Sequence, residues 1–133
     1  MAILIDADVI LKAERGLFDL EAWLASRPTE EFKLAAITVA ELGHGAESAT
    51  GARMAVRQQF LQRIIASFDV VPYTCQTAME HARLWAELGS AGEMIGTNNL
   101  ILAATAIQTG NAVATFSKHR LVLVKGLNII EPT

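Results

Sequence analysis

Carboxylates follow the first two short apolar runs of this chain. Asp6 and Asp8 come directly after Ala2–Ile5, and Glu41 comes shortly after Lys33–Ile37. Such brief apolar runs predict buried parallel strands, and α/β sheets bind ligands beyond the carboxyl ends of their strands. A carboxylate placed there is costly unless it is paired or binds a cation. We therefore expect Asp6 and Glu41 to lie at the same edge of a sheet.

Polar side chains stand at corresponding points in the second half of the chain. Asn98 and Asn99 open a nearly all-apolar segment that predicts a buried helix. Thr115 lies in a later apolar run, Ala112–Phe116, and Ser117 directly follows it. Oxygen ligands suit hard cations such as Mg²⁺, which binds one or two carboxylates together with waters and substrate phosphates. The set predicts a cation site that activates water against a phosphodiester.

Several of these residues also have a structural interpretation. Asp8 is placed to cap a helix predicted over Val9–Glu14, and an asparagine is a favourable cap for the later apolar helix. Thr38 and Glu41 have the spacing of a capping box, in which Glu41 would reach back to the Thr38 N–H. The pattern leaves the capping role and the site role of Glu41 both open.

Basic residues near the predicted site are candidates for contacts with phosphate. They are Lys12, Arg15, Lys118, His119 and Arg120. A solvated surface position is the alternative for each of them. Arg53, Arg57 and Arg63 recur at helical spacing in a predicted amphipathic helix, and this favours a solvated helix face.

Length and composition limit the class of protein. A chain of 133 residues forms one domain with a substantial core, and its apolar runs are short for a membrane span. The net charge of −3 argues against a protein that holds nucleic acid by a broad basic face. It permits an enzyme that relies on a bound cation. The single cysteine excludes an internal disulfide, and with no signal peptide visible we expect a cytoplasmic protein.

The order of predicted elements, β-α-α-β-α-α-β-α-α-β-β, predicts an α/β fold. We expect one domain over residues 1–133, with a central parallel sheet, helices on both faces and right-handed crossovers. A last short edge strand is predicted near Asn128–Glu131. Dehalogenase-like phosphatases share the early aspartates, but this chain lacks their later acidic pair. Receiver domains share its size, but their acidic pair and late lysine are not both correctly placed here. No glycine-rich nucleotide loop is present.

Three stretches together resemble the PIN-domain ribonucleases of the VapC type, which are toxins of bacterial toxin–antitoxin pairs. They are LIDADVI near the start, ITVAELGHG in the middle, and MIGTNNLILAATAIQTGNAVAT towards the end. Their order and spacing cover nearly the whole chain. The resemblance implies a single PIN domain that cleaves RNA with metal-activated water.

The resemblance also assigns roles to positions. Acids of this family bind Mg²⁺ or Mn²⁺; Asp6 matches the first acid and Glu41 the second. The third acid normally stands where this chain has Asn99, and a fourth position falls near Ser117, after Thr115. An amide oxygen ligates a cation more weakly than a carboxylate, so we expect an inactive or weakened ribonuclease. A deliberate substitution and a natural divergence would both account for Asn99.

The resemblance implies partners as well. We expect a VapB-like antitoxin whose tail lies over the acid cluster, an RNA substrate, a homodimer or a toxin–antitoxin hetero-oligomer, and no membrane association. The alternative is a PIN fold that binds RNA or antitoxin without cleaving. Asn99 is the feature on which the two interpretations divide.

Overall fold

The computed structural model describes all residues from 1 to 133. Its strands are β1 Ala2–Ile5, β2 Glu31–Ala35, β3 Asp69–Val71, β4 Ala112–Ala114 and β5 Ile129–Ile130. Its helices are α1 Ala7–Glu14, α2 Leu20–Ala25, α3 Ala36–Ser48, α4 Ala52–Ser67, α5 Cys75–Ser90, α6 Thr97–Thr109 and α7 Lys118–Leu121. None of the helices combines the length and the hydropathy that a membrane span requires.

The strands form one parallel sheet in the order β3-β2-β1-β4-β5. The strand β1 is central: Ile3 pairs with Phe32 of β2 on one side and with Ala112 of β4 on the other. The backbone N–H of Asp6 extends the pairing with β4 by donating to the Ala114 carbonyl at 2.9 Å. The predicted α/β class with a central parallel sheet is therefore confirmed.

The sheet separates two apolar layers because successive side chains of a strand point to opposite faces. Leu4 packs in the layer formed with α5, α6 and α7, whereas Ile3 and Ile5 pack in the layer formed with α1 to α4. All four residues of β1 are buried, as expected for a strand with helices on both sides. This central position fixes Asp6, the next residue along the chain.

The helix starts differ from the predicted ones. The helix α1 is capped by Asp6, whose Oδ1 accepts from the Ala7 N–H, so the prediction that Asp8 caps it is wrong. The helix α6 begins after Gly96 without a side-chain cap, so the asparagine cap was also wrong. Gly96 has a φ of 89°, which favours glycine at this turn.

The predicted capping box is absent because α3 begins at Ala36, before Thr38. Thr38 therefore lies inside the helix, fully buried, and its hydroxyl has no hydrogen-bond partner. Glu41 lies further along the helix and lines the cleft described below. The short helix α7, between β4 and β5, was not predicted.

Candidate functional site

An open cleft of about 430 Å³ lies beyond the carboxyl end of β1, between α1, α3 and α6. We call it the acid cleft. Its side-chain lining includes Asp6, Asp8, Glu41, Asn98, Asn99, Ser117 and Arg120. The topology produces this cleft, because β1 and β2 run parallel and the helices that follow them start at the same edge of the sheet. Asp6 and Glu41 thus lie in one cleft, where the sequence predicted them.

Asp6 is the most constrained acid of the cleft. Only 5% of its surface is exposed, and its two carboxylate oxygens accept from the Ala7 N–H and the Thr115 hydroxyl, each at 2.7 Å. Burial, and secondly the negative charge of Asp8, raise the pKa of Asp6 to about 6. The two hydrogen bonds oppose this rise because they favour the charged form.

Asp8 joins the first helix to the end of β4. Its Oδ2 accepts from the Ser117 hydroxyl at 2.9 Å and from the Phe116 N–H at 3.1 Å. The Thr115 hydroxyl in turn accepts from the Ser117 N–H at 2.9 Å and has its single proton available for Asp6. Asp8, Thr115 and Ser117 therefore hold the position of Asp6, and we call them, with Asp6, the strand wall.

Glu41 and the two asparagines form the opposite side of the cleft, which we call the helix wall. Glu41 is partly buried on α3. Burial raises its pKa, and the negative charges of Asp6 and Asp8 raise it further, whereas the side-chain amide of Asn98 lowers it. The negative charges on the two walls therefore repel one another across the cleft.

Asn99 uses its amide in a way that an aspartate would not. Its Nδ2 donates to the Ile95 carbonyl at 2.7 Å, immediately before the turn into α6. A carboxylate oxygen in the same place would face the carbonyl oxygen, so an aspartate would have to turn its side chain. The amide therefore takes part in holding the turn, in addition to lining the cleft.

The basic candidates do not all reach the cleft. Of the predicted phosphate contacts, Arg120 alone lines it. The Lys12 ammonium lies over the Phe116 ring, 4.2 Å from the ring centre. Lys118 and His119 are exposed on α7 outside the lining, and Arg15 borders a different cavity.

The donor set fits a hard divalent cation held by few protein ligands. No group of three or more histidine, cysteine or acidic side chains is placed to hold a metal ion. Asp6 and Glu41 nevertheless have pKa values raised by neighbouring negative charge as well as by burial, and a bound cation would relieve that repulsion. Carboxylates with waters and substrate phosphates are the usual surroundings of Mg²⁺.

Asn98 was predicted near the site only together with Asn99, and Gly96 and Thr97 were not predicted there. All three line the acid cleft at the start of α6. The sequence did contain a signal for Asn98, because it is a polar residue at the start of an otherwise apolar segment, as Asn99 is. Gly96 and Thr97 carried no such signal.

Comparisons with known proteins agree with this architecture. The family model of the PIN domain matches residues 3–121. The VapC ribonuclease Y4jK of Sinorhizobium fredii is 32% identical over 136 residues, covering 98% of this chain and 96% of that protein. FitAcB from Neisseria gonorrhoeae has a TM-score of 0.85 at 28% identity, covering 97% of this chain and 96% of that one.

A structure of lower identity has the same fold. VapBC2 from Rickettsia felis, bound to a DNA fragment from its promoter, has a TM-score of 0.88 at 17% identity and covers 98% of both chains. The family model spans most of the chain, and the Sinorhizobium relative aligns with nearly all of it. This chain therefore belongs to the PIN-domain family, among relatives of the VapC ribonucleases.

Proposed function

We propose that this protein is a metal-dependent endoribonuclease toxin of the VapC type, weakened in this form by Asn99. The observation that carries the proposal is the meeting of Asp6 and Glu41 in one cleft of a PIN domain, with Asn99 on the wall opposite Asp6. The relationship to a VapC ribonuclease along nearly the whole chain supports RNA as the substrate.

Asp6 and Glu41 are the residues that would hold the cation, which is Mg²⁺ or Mn²⁺. Such an ion supplies a water of lowered pKa and offsets the charge that builds on a phosphodiester. Asp6 is kept in place by Thr115, and Asp8 with Ser117 keeps the end of β4 against α1. Arg120 lines the same cleft and is the basic residue best placed to contact a substrate phosphate.

Asn99 sets the level of activity in this proposal. An amide oxygen contributes no net charge to a cation, so the cleft binds a divalent ion less tightly than it would with an aspartate. The Asn99 amide is also engaged by the Ile95 carbonyl, which limits its freedom to turn towards an ion.

The solved relatives support a partner. VapBC-5 from Mycobacterium tuberculosis is a member of the VapBC family of toxin-antitoxin systems, and its structure covers 98% of this chain. We infer a VapB-like antitoxin that covers the acid cleft with a basic side chain, because a guanidinium forms charge-assisted hydrogen bonds with carboxylates. A homodimer and a cytoplasmic location belong to the same proposal.

The test is cleavage of a panel of structured RNAs by this chain and by Asn99→Asp, side by side, with Mg²⁺ or Mn²⁺. We expect Asn99→Asp to cleave roughly 10-fold faster, since a further carboxylate in the cleft strengthens metal binding, and a chelator to stop it. Asn99→Ala is the matched control: it also removes the hydrogen bond to the Ile95 carbonyl but adds no carboxylate, so it should give no such gain.

The same experiment distinguishes a ribonuclease from a PIN-fold protein that only binds RNA or antitoxin. If neither chain cleaves while both bind RNA or antitoxin, the PIN fold here is a binding module. The hydrogen bond from the Asn99 amide to the Ile95 carbonyl is the observation that favours this second candidate, because it gives the asparagine a structural role.

A further inference from the structure

A second cavity, of about 360 Å³, lies at the end of α1 opposite the acid cleft. We call it the arginine cavity. It is lined by Glu14, Arg15, Ala52, Arg53, Val56 and Arg57. Three of the chain's 11 lysines and arginines therefore converge at one place, in a protein whose net charge is −3.

The three arginines are not equivalent. Arg57 is partly buried, donates to the Gly45 carbonyl at 2.9 Å, and has its Nε 3.5 Å from a carboxylate oxygen of Glu14. Arg57 therefore forms part of the cavity wall and balances Glu14. Arg15 and Arg53 are exposed and form none of the ion pairs of the chain. Two positive charges remain available to a ligand.

The chemistry of the cavity suits a phosphate. A guanidinium group presents a planar fork of N–H donors that matches phosphate oxygens. Ala52 begins α4, a helix of 16 residues whose start has no side-chain cap, so the first backbone N–H groups add to the positive field. Glu14 does not cancel this field because Arg57 already balances it.

The arginine cavity lies close enough to the acid cleft for one long ligand to reach both. The helix α1 has eight residues and is about 12 Å long, with Asp6 capping its start and Arg15 at its end. Leu11, between them, lines the acid cleft. A polymer with regularly spaced negative charges can occupy both places at once, whereas a single small anion cannot.

We propose that Arg15 and Arg53 bind backbone phosphates of the RNA strand whose scissile bond lies in the acid cleft. This inference rests on the proposed ribonuclease function and adds a substrate-binding site outside the catalytic residues. It assigns a function to Arg53, which the helical spacing alone had placed on a solvated face. Arg63, on the same helix, lies outside the cavity and has no such function.

The test is binding of a fluorescently labelled single-stranded RNA, measured by anisotropy in the presence of a chelator and over a range of salt concentrations. The variants are Arg15→Gln, Arg53→Gln and the pair combined. Each single change should reduce the slope of log affinity against log salt by about 0.7, the value for one phosphate contact on a single strand. The double variant should bind roughly 10-fold more weakly.

Arg63→Gln is the matched control, because it removes the same charge from α4 outside the cavity. It should leave both the affinity and the salt slope close to those of the unchanged chain. Thermal unfolding of each variant checks that the fold is retained, which is expected since Arg15 and Arg53 are exposed.

Equal RNA affinity and salt slope in the double variant and in Arg63→Gln would overturn the inference. So would a double variant that binds RNA normally but loses affinity for the antitoxin, because the cavity would then serve a protein partner. Failure of the ribonuclease proposal has a different signature: Asn99→Asp would show no metal-dependent cleavage, whatever the arginine variants do.

Discussion

The strand wall and the helix wall of the acid cleft hold their polar groups in different ways. On the strand wall, Asp6 and Asp8 accept hydrogen bonds from backbone N–H groups and from the hydroxyls of Thr115 and Ser117. On the helix wall, Glu41 is less buried and has an asparagine amide beside it. The two walls differ in their hydrogen-bond donors because one is built at strand ends and the other on helix faces. Strand ends bring backbone donors to the site, whereas helix faces bring side chains alone.

This comparison indicates what each wall contributes. The strand wall fixes a buried negative charge at a cost in stability, because burial and the Asp8 charge both disfavour the ionised Asp6. The helix wall carries less charge, since residue 99 there is an amide whose Nδ2 donates to the Ile95 carbonyl before α6. Three predictions test the contrast, beginning with the largest effect.

The largest effect should be a fall in stability of the metal-free protein between about pH 4 and pH 6. In this range the unfolded chain loses the Asp6 proton and the folded chain keeps it, because the pKa of Asp6 is raised from 3.8 to about 6. The stabilisation is therefore present below pH 4 and lost as pH rises through 6. The free energy of unfolding should fall by up to about 3 kcal/mol, as measured by urea titration at a series of pH values.

The substitution Asp6→Asn provides the control for that pH profile. It removes the ionisable group, so most of the fall should disappear and stability at pH 7 should increase, while cleavage is lost. Glu41→Gln should remove a smaller part of the fall, because Glu41 is less buried. A profile that Asp6→Asn leaves unchanged would contradict the strand-wall argument.

The second effect concerns Thr115, the buried hydroxyl between β4 and Asp6. Thr115→Val keeps the shape but removes the hydrogen bond at 2.7 Å, so we expect a loss of about 1–3 kcal/mol of stability. The pKa of Asp6 should also rise, because that bond lowers it. An NMR titration of the Asp6 carboxyl reads this directly. Thr115→Ser, which keeps the hydroxyl, should restore most of both quantities.

The smallest effect should come from the helix wall. Without metal, Asn99→Asp should destabilise the protein by about 1 kcal/mol, because it removes the hydrogen bond to the Ile95 carbonyl and adds a negative charge to the cleft. With added Mn²⁺, Asn99→Asp should become more stable than the unchanged chain, since a ligand at 100 times its Kd stabilises by about 2.7 kcal/mol. Thermal melts with and without Mn²⁺ measure both effects. Asn98→Asp should also destabilise the metal-free protein, because it replaces the amide beside Glu41 with a second negative charge.

The sequence was sufficient to place the acids but not their surroundings. Short apolar runs predict parallel strands, and parallel strands have their carboxyl ends at one edge, so Asp6 and Glu41 were expected together. The helix starts were harder to predict, because a favourable cap residue such as Asp8 competes with its neighbour Asp6, and tertiary pairing of β1 with β4 decides between them. The capping-box spacing of Thr38 was misleading for a similar reason, since α3 follows β2 without a gap.

Long-range placement was the part that local patterns did not contain. Arg15 and Arg53 are 38 positions apart in sequence and share a cavity only because α1 and α4 both flank α3. Lys12, one turn before Arg15, lies over Phe116 instead. Whether a surface cation faces a ligand or a neighbouring ring depends on packing between helices, which charge patterning along one helix does not specify.

The order of strands in the sheet has a consequence for synthesis of the protein. The hydroxyl that holds Asp6 belongs to Thr115 and is made 109 residues later, and β1 completes its pairing only with β4. At about 5–20 residues per second, these partners are separated by roughly 5–20 s of translation. An unfinished chain on the ribosome therefore carries Asp6 and Asp8 without the hydroxyls of Thr115 and Ser117. The acid cleft is completed only after β4 and α7 have been made.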